Sequence, residues 1–146
     1  SAASDVYKRQ DIGVPLGRRF RGLKLWVLFR CVGTTGLAES MRSHIEIAEA
    51  AAARLDVSPR FDLAAPVSFS TVCFRAVGLG DVEAEERWNR DILSQVNSEG
   101  RVFLSHTELG GRYTLRLSVG SVDTESRHVM EALDALERAA NDLIPG

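Results

Sequence analysis

Ser105-His106 places a hydroxyl beside an imidazole, the residue types of nucleophilic catalysis. Neighbours on an extended strand leave opposite faces, so these two cannot work as nucleophile and base. His44 falls between Met41 and Ile45 in a helical pattern and His128 near a helix start. Neither has a second ligand at metal spacing, and both read as structural. Glu83, Glu85 and Glu86 form an acidic run at a helix start, where the macrodipole favours carboxylates, so they read as surface. Gly78-Leu79-Gly80 is not a phosphate loop, because the third glycine is absent and Asp81 would repel an anion. Cys31 and Cys73 sit in apolar runs without ligand-like spacing, as buried thiols in a reducing compartment would. Arg116 remains, and its meaning depends on the elements around it.

Those elements can be read from period and punctuation. Gly110-Gly111 between alternating runs predicts a tight hairpin over Arg101–Thr107 and Arg112–Val119. That turn pairs Val102 with Val119, Leu104 with Leu117 and His106 with Leu115, making one apolar face. The opposite face then carries Ser105 directly across from Arg116, flanked by Thr107, Thr114 and Ser118. Upstream, Leu16, Phe20, Leu23, Val27 and Cys31 repeat at helical spacing after Pro15, with Leu25, Trp26, Leu28 and Phe29 filling the other faces. A helix apolar nearly all round is buried on several sides and needs a partner. Gly33 and Gly36 break it, Thr34 or Thr35 can cap the next helix, and Leu37, Met41, Ile45, Ala48, Ala52 and Leu55 form its stripe, which Pro59 ends. Strand-like runs follow at Arg60–Ala64 and Ser70–Val77. Asp81 caps a third helix with Trp88, Ile92 and Val96 inward, closed by Gly100. A last helix after Asp123-Thr124 turns Val129, Met130, Leu133, Leu136, Ala140 and Leu143 inward.

The order helix, helix, strand, strand, helix, strand, strand, helix is an α+β layer with helices on one face of an antiparallel sheet. Arg116 is then either a solvated residue on the open face or a prepared anion site. With 146 residues, 45% hydrophobic and a net charge of -2, the chain can bury a core but carries no nucleic-acid footprint. The local cluster Arg18, Arg19, Arg21 and Lys24 reads as a solvated or partner-facing helix edge. No run reaches the roughly 18 to 20 apolar residues of a membrane span, and no signal core is visible, so a cytoplasmic protein is expected. Residues 1–10 lack periodicity and read as a disordered or foreign tail, with the domain over residues 11–146.

Pro15-Leu16-Gly17-Arg18-Arg19-Phe20-Arg21 with Leu23-Lys24-Leu25-Trp26 resembles the start of the C-terminal region of group II pyridoxal-phosphate decarboxylases, the aromatic-L-amino-acid decarboxylase branch. Pro59-Arg60-Phe61-Asp62, Val72-Cys73-Phe74-Arg75, Gly100 to Thr107 and Tyr113-Thr114-Leu115-Arg116-Leu117 with Gly120 continue the resemblance in order, over roughly residues 11–144. It implies the small C-terminal domain of a type I, aminotransferase-like fold working as a homodimer. It implies a cofactor, pyridoxal 5'-phosphate, bound by a large domain upstream. Arg116 matches an arginine that can meet the substrate carboxylate, Ser105 faces it, and Gly17 matches a position close to the neighbouring subunit's ligand pocket.

The chemistry of such enzymes needs a lysine to hold the cofactor aldehyde, an acid at its pyridine nitrogen and a ring stacked on it. Lys8 and Lys24, the chain's two lysines, match no such role. A fragment lacking the Schiff-base lysine and inactive alone is therefore expected, from an enzyme releasing CO2 from an aromatic L-amino acid. The competing expectation is an autonomous α+β module that binds a small anion. Exposure of Leu25, Trp26, Leu28 and Phe29 discriminates the two, since a self-contained module buries them.

Overall fold

In β2 (Thr71–Ala76), Val72, Phe74 and Ala76 are buried while Thr71, Cys73 and Arg75 are only partly so. This period of two gives the strand one core face and one other face. The computed structural model describes residues 20–121 and 123–144. Among them lie α1 (Arg21–Asp56), β1 (Phe61–Leu63), β2, α2 (Val82–Ser98), β3 (Ser105–Leu109), β4 (Arg112–Ser118) and α3 (Ser126–Asp142). The strands form one antiparallel sheet in the order β1-β2-β4-β3.

The chain divides into two units, residues 1–37 and 38–146. In the first, α1 begins with Leu23, Leu25, Trp26, Val27, Phe29 and Val32 exposed and Leu28 half-buried. Gly33 lies at φ 71, ψ 172, outside the helical region, so two helical stretches meet there. A residue with a Cβ resists that conformation. The break expected at this glycine is present; Gly36, by contrast, is helical.

In the second unit the rest of α1 buries Ile47, Ala48, Ala51, Ala52 and Leu55. Met41, expected on this stripe, is instead 50% exposed, so the inward face is carried by the small residues further along. Arg54 fastens the last turn to α3 by donating to Asp134 at 2.6 Å and Glu137 at 3.1 Å. Trp88, Ile92 and Val96 of α2 and Val129, Leu133 and Leu136 of α3 complete the core against Phe61, Phe74, Leu115 and Leu117. Asp81 caps α2 as expected, accepting from the Ala84 N–H at 2.8 Å.

Two asparagines of α2 grip the sheet. Asn89, 2% exposed, accepts from the Ala76 N–H at 2.8 Å and donates to the carbonyls of Ala76 and Glu85 at 2.9 and 2.7 Å. Asn97 accepts from the Leu104 N–H at 2.8 Å and donates to the Leu104 carbonyl at 2.9 Å. In each case an amide replaces the neighbouring strand that the backbone lacks. The Asn97 grip corrects the expected strand Arg101–Thr107. The paired segment starts at Ser105, because Leu104 turns its backbone to α2, so Val102 and Leu104 make no ladder with Val119 and Leu117.

Removing a buried partner strands polar backbone groups, at about 1 to 3 kcal/mol for each. Asn89→Ala is expected to lower stability by about 2 to 4 kcal/mol in urea unfolding. Asn89→Asp, whose carboxylate would face two carbonyls, should be no milder; a near-neutral result for either would remove Asn89 from the fold's supports.

Candidate functional site

The Gly110-Gly111 tip, with φ of 60 and 73, sets the β3–β4 register. Ser105 pairs with Arg116, His106 with Leu115 and Thr107 with Thr114, as the hairpin expectation required. On the other side of β4, Cys73 pairs with Arg116 and Thr71 with Ser118. A single row across the bare face therefore reads Cys73, Arg116, Ser105.

Arg116 is exposed, and its Nε donates to Ser105 Oγ at 2.9 Å. Among the described residues its two Nη groups make no hydrogen bond. A guanidinium anchored at Nε holds the rest of its fork in place, which suits two parallel bonds to a carboxylate. Arg75 shares this face but not this freedom. Its Nε donates to Thr114 Oγ1 at 3.0 Å and its Nη2 to the Leu109 carbonyl at 2.7 Å. Burial pulls Arg75 below its ordinary value, the nearby Arg112 adding to the effect and Glu86 opposing it. Arg75 thus serves the sheet, while among the described residues Arg116 keeps its two Nη groups without a hydrogen bond.

Sequence reasoning placed Glu85 with its neighbours on the surface; the structure corrects this. Glu85 is 8% exposed. Its Oε1 accepts from the Gly78 and Leu79 N–H groups at 2.9 and 3.2 Å, and its Oε2 from Arg112 at 2.8 Å. Burial alone would raise this carboxyl, but the Gly78 N–H, Arg112 and the Leu79 N–H together hold it below its usual value. The Gly78-Leu79-Gly80 loop does gather N–H groups around an anion, and the anion is the protein's own carboxylate.

The remaining candidates are structural or lie apart. His106 was expected on the apolar face, yet at the edge strand it is exposed and stacked on Tyr113 at 4.7 Å between centroids. Arg90 covers that tyrosine at 4.3 Å. His128 Nδ1 accepts from the Glu125 N–H at 3.1 Å at the start of α3. His44 is half-buried on α1. Neither thiol is fully buried: Cys31 is exposed, and Cys73 is half-buried because its strand parity sends it to the bare face. Gly17, Lys8 and the residues 1–10 lie outside the described residues. Among the described residues no group of three or more His, Cys, Asp and Glu could hold a metal, and no helix is long and apolar enough to cross a membrane.

A family model described as the pyridoxal-dependent decarboxylase conserved domain matches residues 2–77, just over half of the chain. Tryptophan decarboxylase 2 of Oryza sativa subsp. japonica is 42% identical over 145 residues, covering 99% of this chain and 29% of that protein. Phenylacetaldehyde synthase of Arabidopsis thaliana is 39% identical over 145 residues, with 99% and 30% covered. The crystal structure of Oryza sativa TDC with PLP and tryptamine superposes with a TM-score of 0.81 at 33% identity, over 92% of this chain and 29% of that one. The chain thus spans about 30% of the length of the relatives it matches.

Two expected outcomes follow from this geometry. Because the Glu85 value is depressed in the fold, its stabilisation is full above the unfolded value of about 4.3 and is lost as pH falls through the lower folded value. Glu85→Gln should therefore melt below the native chain at neutral pH, and the gap should narrow progressively as pH falls below about 4.3. A gap that stays constant with pH would contradict the ionised Glu85–Arg112 pair. Ser105→Ala should weaken carboxylate binding at Arg116 by about threefold to tenfold in an NMR titration, with the melting temperature hardly changed.

Proposed function

This chain belongs to the pyridoxal-dependent decarboxylase family, and we propose that it serves as the small C-terminal domain of an enzyme that releases CO2 from an aromatic L-amino acid to give the amine. The observation carrying this reading is Arg116, held at Nε by Ser105 with both Nη groups open on a bare sheet face. Its part is to take the substrate carboxylate in a two-bond grip. The aromatic preference is supported by the names of the relatives, which include tryptophan and tyrosine decarboxylases.

The described residues do not fit the cofactor. Lys24 is exposed on the first stretch of α1, and the anion-binding loop at Gly78 is filled by Glu85. The family's pyridoxal phosphate is therefore assigned to a large domain outside this chain, and no chemical step is assigned to residues here. The exposed row Leu23, Leu25, Trp26 and Phe29 supports such a partner. An autonomous anion-binding module, which would bury these side chains, is not favoured. We further assign a homodimeric state and a cytoplasmic location to the whole enzyme, with Gly17 near the partner subunit's pocket.

The test has three arms. The chain alone, mixed with pyridoxal phosphate and each aromatic L-amino acid, should release no CO2; turnover would overturn the reading. The reading frame on the N-terminal side should encode a histidine-lysine pair within a large α/β domain. In the whole enzyme Arg116→Gln should raise KM for the amino acid by about tenfold or more, with Arg116→Lys between the two, because lysine keeps the charge without the fork. An unchanged KM would remove Arg116 from the substrate site.

A further inference from the structure

Strand β4 outruns its neighbour β3. Their register ends at Ser105 with Arg116, and if continued it would set Phe103 opposite Ser118. Phe103 instead lies outside any strand, because Asn97 holds both backbone groups of Leu104. The Val119 N–H donates to the Ser70 carbonyl at 2.9 Å, on the β2 side. Successive residues of a strand turn their backbone groups to alternate sides, so the N–H and C=O of Ser118 face the side that β3 has left. Among the described residues neither group makes a hydrogen bond, and such an edge is a template for another strand.

Ser118 lines an open groove of about 370 Å³ between the Arg101–Leu104 segment and the first turns of α3. Buried Leu117, Val119, Val129 and Ala132 give it apolar walls, which the exposed ring of Phe103 extends. The ionisable side chains of its lining are Arg101 and His128, and no acid lines it. Arg101 is exposed and, among the described residues, makes no ion pair. His128 Nδ1 accepts from the Glu125 N–H, so the ring proton sits on Nε2, a donor with no partner among the described residues. Glu125, which follows Thr124 of the lining, is already taken by Arg127 at 2.9 Å. The groove therefore joins apolar walls, an unpaired strand edge and a cationic rim.

We propose that this groove binds an extended acidic peptide of a partner chain, which adds to β4 at Ser118 where β3 stops. A peptide backbone supplies an N–H and a C=O at the spacing the free edge requires. The residue opposite Ser118 exchanges both bonds with it, and the residues on either side turn their side chains towards Leu117 and Val119. Charge complementarity with Arg101 and the His128 N–H selects a carboxylate beyond those apolar positions. Arg116 and Ser105 are not part of this lining, so the proposal stands apart from the substrate reading.

The probe is acetyl-Glu-Val-Thr-Val-Glu-amide, added to this full chain in an NMR titration. One control peptide has glutamine for both glutamates, and another carries a methyl group on the threonine nitrogen. The probe should shift the amides of Ser118 and Val129 and slow hydrogen exchange at Ser118 by about fivefold or more at saturation. The N-methyl peptide should bind about tenfold more weakly and the glutamine peptide about threefold to tenfold more weakly. Arg101→Gln should bring the glutamate and glutamine peptides within about twofold of each other. Arg101 is exposed, so this variant should keep its fold, and an unchanged circular dichroism spectrum checks that. No binding at millimolar peptide overturns the proposal, and so does equal binding of the N-methyl peptide, which would mean apolar contact without strand pairing. A preference for glutamate that survives Arg101→Gln also overturns it. Exchange at Ser118 that slows with protein concentration alone would assign the groove to a second copy of this chain and overturn it as well.

Discussion

Strand β4 sits between β2 and β3, and its period of two is the constraint on which the other features depend. Tyr113, Leu115 and Leu117 pack into the core under α2 and α3, so Thr114, Arg116 and Ser118 leave on the other side, Thr114 buried and bonded to Arg75, Arg116 and Ser118 exposed. A slip of one residue would bury Arg116 unpaired and expose Leu115 and Leu117, which no local adjustment could offset. The two-glycine tip and the core together pin that register. The Cys73, Arg116, Ser105 row on the other face follows from it.

The arginines reaching towards or along this face show how the fold sorts equal side chains into unequal roles. Arg112 is taken by the buried Glu85, and Arg75 by a hydroxyl and a carbonyl. Arg116 receives one anchoring bond and keeps the rest of its fork. Availability here is decided by what the neighbours already satisfy, since three guanidiniums have the same intrinsic chemistry. The same logic explains the glycine loop at Gly78, whose N–H groups would suit an external anion had Glu85 not reached them first.

Much of this was legible in the sequence where the controlling interaction was local. Gly110-Gly111 fixes its hairpin within a few residues, and so the pairing of Ser105 with Arg116 is readable from the sequence. The caps and inward stripe of α2 were equally local. Glu85 was misjudged because the rule for acids at a helix start knows nothing of Arg112, 27 residues away. The strand assigned to Arg101–Leu104 failed for a similar reason: its composition suits a strand, but Asn97 had claimed the backbone of Leu104. Arg75 was not singled out as a second cation on the face, because the β2–β4 pairing that brings it beside Thr114 links segments without a shared turn.

Asn97 has a further consequence. A residue inside a ladder must suit the pleat, its cross-strand neighbour and the sheet's twist, which narrows what a lineage can place there. By taking over the backbone of Leu104, this one amide exempts the preceding positions from those demands while a buried leucine keeps them in place. Scaffold and variable surface are thereby separated at a single peptide unit. Arg101, Val102 and Phe103 are thus held from α2 and the core and not by a strand partner.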